Sequence, residues 1–281
     1  MPTFYYLQTS FSLNNGLFLA RAAQAAYAVD SAAAFAAAWP AFGGTVTPFS
    51  DGGADKDVSG FVAVNDSAVL LVFRGTANLP GWMTDGDIVQ TPYPADPIFV
   101  HFGFANGLSR VWDQIMAALP VDPGPQRGVW VTGHSLGAAL ATLAAQQLCQ
   151  MPHYNVNGTY TFGSPRVGNV DFYHDYKPVN YRFVNNNDIV PHVPLEGLLV
   201  PNRDPAALLH HPLEAFLHFT YKHVGTLKYF DRHGRLGEGM SDWEAKKDAV
   251  LGSLETFGQP TPDAIADHAI ARYIAAIEKN L

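Results

Sequence analysis

Gly133-His134-Ser135-Leu136-Gly137 reads G-x-S-x-G, and its flanks decide the fold. Before it runs Gly128-Val129-Trp130-Val131-Thr132, short, β-branched and aromatic, the composition of a buried strand. After it, Ala138 to Cys149 is a helix-forming stretch with apolar spacing. The pattern therefore falls on a strand-to-helix turn, the setting of a nucleophile elbow. Such a turn strains the backbone of Ser135 and directs its hydroxyl away from the sheet. Side chains at 133 and 137 would collide with neighbouring elements, so both positions call for glycine. Ala138 and Ala139 let the helix lie close to the sheet. The N–H of Leu136, at the helix N-terminus, is placed beside a developing oxyanion.

The 281 residues suit one α/β domain, and residues 1–281 are expected to form it. With 48% hydrophobic and 15% charged residues, the chain can bury a large core. A formal net charge of −8 argues against nucleic acid and against docking on anionic lipid by charge alone, and favours uncharged substrates. The single cysteine, Cys149, excludes an internal disulfide and a multi-cysteine metal site. In the helix it is expected to be a small buried hydrophobe. The N-terminus lacks a basic region, and Arg21 and Gln24 interrupt the apolar run from Gly16 to Ala28. Neither a signal peptide nor a membrane span is expected. Localisation stays open between the cytoplasm and secretion by a leader outside this sequence. The sequons at Asn65 and Asn157 both read as turns.

Residues 11–28 predict an amphipathic helix capped by Ser12 or Asn14, and residues 30–60 a short helix followed by loop. Phe61–Val64 and Ala68–Phe73 predict a hairpin about Asn65-Asp66-Ser67, the second strand central because it is apolar throughout. That strand ends in Arg74-Gly75-Thr76, where an oxyanion loop belongs, with Thr76 offering its N–H and hydroxyl. The segment 77–90 sets Leu79, Trp82 and Met83 among glycines and prolines, and reads as a lid with Gly81 and Gly86 as hinges. A helix from Phe104 to Leu119 precedes the nucleophile strand. Strands at Thr159–Phe162 and Tyr181–Asn185 follow it. Asp188 lies just past the second, on the strand-end edge where open α/β sheets build their sites.

An apolar insertion spans about 195–222, with helical spacing at Leu213, Phe216 and Leu217. It reads as a cap over the active-site edge or a satellite cluster. A hairpin about Asp231–Gly234 and one closing helix from Pro262 to about Lys279 complete the chain.

A serine hydrolase of this topology takes its residues in the order Ser, Asp, His. Of the seven histidines after Asp188, His223 and His268 remain as candidate bases, and spacing alone does not choose between them.

Seven ordered stretches resemble the fungal-type class 3 lipases of the α/β-hydrolase superfamily. They are Val72–Thr76, the Asn78…Trp82…Asp85 segment, Val100–Phe104, Thr132–Gly137, Thr161–Asn169, Val184–Pro191 and Asp267-His268. The resemblance implies an α/β-hydrolase fold, a mostly parallel sheet flanked by helices with a lid. It implies a Ser135, Asp188, His268 triad, and an oxyanion hole from Thr76 and Leu136. Leu79, Trp82, Met83 and His134 are lid and acyl-pocket candidates. His223-Val224-Gly225 is similar to the family's non-catalytic His-x-Gly element, which favours His268 as base. The implied activity is triacylglycerol hydrolysis through an acyl-enzyme, on a lipid or ester substrate at a lipid–water interface, with no metal or cofactor. Short-chain carboxylesterase, phospholipase or feruloyl-type esterase activity shares the chemistry, and an inactive lipid-binding protein shares the scaffold. The 195–222 stretch is longer than the family's usual connection, and its disulfides have no counterpart here.

Overall fold

Five parallel strands carry the site, and two antiparallel strands extend their sheet at one edge. A computed structural model describes residues 3–39, 42–52, 58–76, 89–124, 127–194, 197–201, 216–237 and 262–281. The main sheet is built from β1 (Thr45–Ser50), β2 (Ser59–Val64), β3 (Val69–Phe73), β6 (Val129–His134), β7 (Val156–Phe162), β8 (Asn180–Asn185) and β11 (Thr226–Phe230), in that spatial order. β1, β2 and β3 pair antiparallel, and β3 through β11 pair parallel. This is the expected α/β-hydrolase arrangement, with the anticipated hairpin at β2–β3. Asn65 forms its turn, its side chain accepting from the backbone of Ser67 and Ala68.

Alternation along each strand splits the core between two faces. On one face Trp130, Tyr160, Phe183 and Phe230 pack against α1 (Leu13–Ala25) and α7 (Ile270–Lys279). On the other, Val69, Leu71, Val129 and Val131 meet α3 (Phe102–Ala118) and α4 (Leu136–Cys149). Each fully buried large apolar side chain contributes about 1.5–3 kcal/mol, so these two layers dominate the fold's stability. α1 starts where Ser12 caps it, the hydroxyl accepting from the N–H of Asn15 at 3.3 Å. α4 is buried almost all round, which its alanines permit.

Several expectations are corrected. β1 lies where loop was expected; Pro48 obscured it, and it is tolerated because an edge strand leaves one side unpaired. Asn157 sits within β7, its side chain donating to the Tyr6 carbonyl, so it is no turn. Cys149 is exposed at the end of α4. Within the 195–222 stretch, β9 (Gly197–Pro201) and β10 (Phe216–Thr220) pair antiparallel, which overturns helix at Phe216 and Leu217. A short β4 (Gln90–Pro92) pairs with β5 (Phe99–His101). α2 (Ala32–Ala38) follows α1, and α5 (Val170–Asp175) follows Asn169, whose side chain caps it. The expected single closing helix is two, α6 (Pro262–His268) and α7, broken at Ala269. Among the described residues no helix is long and apolar enough to cross a membrane.

Candidate active site

β3, β6, β7 and β8 end level with one another, because Phe73 pairs with Gly133, His134 with Phe162, and Phe162 with Phe183. Their C-terminal edge therefore presents four loops side by side. Ser135 follows β6 directly and opens α4, with φ 59° and ψ −129°. A β-carbon on Gly133 would stand 2.1 Å from the Gly137 carbonyl oxygen, and one on Gly137 would stand 2.5 Å from that of Phe73. The two glycines thus make the strained turn possible.

Asp188 lies three residues beyond β8 and is fully buried. Its loop is tied to α6: Asn185 donates to the Asp267 carbonyl at 2.9 Å, and the Asn186 amide donates to the Asp267 carboxylate at 2.8 Å. These bonds deliver His268, the last residue of α6, to Asp188. His268 Nδ1 stands 2.9 Å from both carboxylate oxygens. Because a carboxylate only accepts, Nδ1 carries the proton and Nε2 presents its lone pair. The Ser135 Oγ and His268 Nε2 are buried and have no hydrogen-bond partner among the described residues. Serine–histidine bonds of this kind are commonly loose without substrate and tighten in the reacting complex.

Two further donors hold Asp188 in place. The Val190 N–H donates to Oδ1 at 2.9 Å, and the Tyr273 hydroxyl donates to Oδ2 at 2.5 Å. Burial, and then the Asp188 charge, push the Tyr273 phenol well above its ordinary range, so it remains a donor. In the sequence Tyr273 is simply one residue of the expected closing helix. Its polar task emerges from the break at Ala269, which resets the register of α7 behind the site. Gly163, at the end of β7, has φ 59°, and a β-carbon there would lie 2.8 Å from Asp188 Oδ2 and 2.9 Å from His268 Nδ1.

His223, the rival base, is buried elsewhere. Its Nε2–H donates to the Pro191 carbonyl at 2.7 Å. Burial, helped by Arg182 and Arg166, holds its pKa well below the usual histidine value. Only His268 of the two reaches Asp188.

The oxyanion candidates also converge. Thr76 comes three residues after β3, and Leu136 opens α4. A β-carbon on the intervening Gly75 would stand 2.7 Å from the His134 carbonyl oxygen and 3.1 Å from Ser135 Cβ, so the β3 loop lies against the elbow. His134, expected near the acyl pocket, has both ring nitrogens engaged: Nδ1 lies 2.7 Å from the Tyr27 hydroxyl and Nε2 2.7 Å from the His268 carbonyl. Its ring sits beneath His268, with centroids 4.5 Å apart, and leaves neither nitrogen for a ligand. Leu79, Trp82 and Met83, with the hinge glycines 81 and 86, lie outside the described residues.

The family described as Lipase (class 3) matches residues 70–198, the stretch from β3 into β9. Over 163 residues the chain is 39% identical to the secreted mono- and diacylglycerol lipase A of Penicillium cyclopium, covering 55% of this chain and 53% of that protein. The chain thus spans about half the length of that relative. A crystal structure of a mutant form of the Penicillium cyclopium protein aligns with TM-score 0.68 at 25% identity, over 95% of this chain and 100% of that one. A solved structure from a family of fungal lipases aligns with TM-score 0.59 at 30% identity, over 78% of this chain and 79% of that one. With 30% identity over 79% of that fungal lipase and the class 3 model matching its central stretch, the chain belongs to the fungal-type class 3 lipase family.

Proposed function

We propose that this protein hydrolyses carboxylic esters of acylglycerols through an acyl-enzyme on Ser135. The observation that carries the reading is the His268 ring, held by Asp188 through Nδ1 and packed on His134, the residue before the strained elbow serine. His268 Nε2 takes the Ser135 proton as Oγ attacks the ester carbonyl. Asp188 keeps the tautomer and balances the imidazolium, with Tyr273 and Val190 holding the carboxylate. The backbone N–H of Leu136 and the N–H and hydroxyl of Thr76 stabilise the oxyanion; one such donor is commonly worth about 10²–10³ in kcat. His268 then protonates the departing alcohol, and water, activated by the same histidine, releases the acid.

The similarity to a mono- and diacylglycerol lipase makes partial glycerides a second substrate class beside triacylglycerol. The test follows hydrolysis of tributyrin below and above its solubility, beside monobutyrin and dibutyrin. Fluorophosphonate labelling of Ser135 is read by mass in parallel. Labelling at Ser135 with a rate that climbs beyond saturation supports an interfacial lipase. A smooth saturation curve confined to short soluble esters would replace it with an esterase, and absence of labelling would remove the hydrolase reading.

A further inference from the structure

Beneath the triad lies a hydrogen-bond chain that the mechanism above does not use. It begins at Tyr27, which stands against Gly75, the residue before Thr76. A β-carbon on Gly75 would come within 2.2 Å of the Tyr27 oxygen, so the tyrosine occupies the space a side chain would fill. The Tyr27 hydroxyl lies 2.7 Å from His134 Nδ1. His134 Nε2 lies 2.7 Å from the backbone carbonyl of His268.

The direction of each bond follows from chemistry. A carbonyl only accepts, so His134 Nε2 must bear a proton. A neutral imidazole then has only a lone pair on Nδ1, and Tyr27 must donate to it. Burial, and then the nearby His268, lower the His134 pKa to about 3, so the ring stays neutral and keeps one donor and one acceptor.

Both ends of the chain sit on parts the reaction needs. At one end, continuation of α6 would pair the His268 carbonyl with the N–H of Arg272. Instead Arg272 donates to Ala269, whose φ of −59° and ψ of 129° are extended, and His134 takes the freed carbonyl. The helix therefore ends on His268, and the backbone under its imidazole is clamped. At the other end, the Tyr27 oxygen packs against Gly75, next to Thr76.

We infer that Tyr27 and His134 are positioning residues that lock the backbone of the base His268 to the oxyanion strand end, so that base and oxyanion donor keep one spacing across Ser135. The inference rests on the proposed hydrolase reading for its consequence, but the hydrogen-bond chain stands apart from it.

Tyr27→Phe removes one oxygen and keeps the ring. It is expected to lower kcat on p-nitrophenyl butyrate and the rate of Ser135 phosphonylation together, by about 10-fold or more, with KM within about twofold. His134→Leu removes both ring nitrogens, the donor to the His268 carbonyl and the acceptor for Tyr27. In that background Tyr27→Phe is expected to add little, because the chain is already cut. A merely structural pair would instead lower the melting temperature and leave kcat of the folded enzyme unchanged. Nitrogen-15 spectra of wild-type imidazoles supply a readout independent of activity, with His134 expected as the neutral Nε2–H tautomer at pH 6. Unchanged kcat in Tyr27→Phe, additive effects in the double variant, or an Nδ1–H tautomer would each overturn the inference. Failure of the wild type to hydrolyse the ester or label Ser135 would remove the hydrolase reading alone, leaving the tautomer to judge the chain of bonds.

Discussion

The turn that carries Ser135 and the turn that carries His268 meet over one sheet edge, yet they are shaped by different means. The serine turn is local. Its strain is held by a strand on one side, a helix on the other, and two glycines whose missing side chains make room for the Gly137 and Phe73 carbonyls. The histidine turn is imposed from outside. Nothing in Asp267-His268-Ala269-Ile270 breaks a helix on its own, since neither glycine nor proline is present. The break coincides with partners far away in sequence: His134 on the His268 carbonyl, and Asn185 and Asn186 on Asp267. A candidate nucleophile can thus be read from five consecutive residues, while spacing alone leaves its base open between His223 and His268.

The sharpest way to test that contrast is to silence each turn. Ser135→Ala is expected to abolish ester hydrolysis, by at least about 10⁴-fold, with the melting temperature within a few degrees, because alanine keeps the β-carbon and the lost hydroxyl has no hydrogen-bond partner among the described residues. Activity near wild type would move the nucleophile elsewhere. On the histidine side, Asp188→Asn is expected to cost about 10³–10⁴ in kcat by favouring the wrong imidazole tautomer, as initial rates would record.

Thr76→Val probes the β3 loop, which lies against the serine turn. A fall of about 10²–10³ in kcat with KM little changed is expected if its hydroxyl acts on the transition state. A change in KM alone would assign that hydroxyl to ground-state binding. Tyr273→Phe removes an external support of the histidine turn, and a loss of about 10-fold in kcat is expected from the freed Asp188 oxygen. A loss of thermal stability with kcat intact would make Tyr273 a packing residue.

The smallest effect concerns the buried histidines. His134 falls from an ordinary 6.5 to about 3 on folding, and His223 falls well below 6.5, so the unfolded chain binds more protons than the native one. Their stability contribution is complete above pH ~6.5 and is lost as pH falls toward the folded values, with a slope of at most about 1.4 kcal/mol per pH unit for each group. Urea midpoints between pH 7 and pH 4.5 should fall accordingly, and less steeply in His223→Gln. Parallel pH curves for the two proteins would contradict the buried neutral state.

Legibility in the sequence followed the same division. The elbow, the β2–β3 hairpin, the strands that flank Ser135 in sequence and the Asp188 loop are readable because each is encoded within a few residues. β1 was hidden by Pro48, whose missing donor matters little on an edge. β10 was mistaken for helix because Leu213, Phe216 and Leu217 match a helical period over too short a run to exclude a strand. Tyr27, Gly163 and Tyr273 carry no signal as site residues because their roles depend on contacts 85 to 107 positions away for the tyrosines, and on the meeting of two distant segments for the glycine. A tyrosine on a helix of alanines gave no signal that its hydroxyl would end beside the elbow histidine.

One feature of α4 has a practical side. The helix begins at the serine and ends 14 residues later at an exposed cysteine, the single thiol in the chain. At 1.5 Å per residue that places the sulfur about 20 Å from the nucleophile, at the opposite end of a rigid rod. A maleimide dye, a spin probe or a gold surface attached there would have a single point of attachment. Tethered through Cys149, the molecule would be oriented with the strand ends that hold Ser135 facing away from the support.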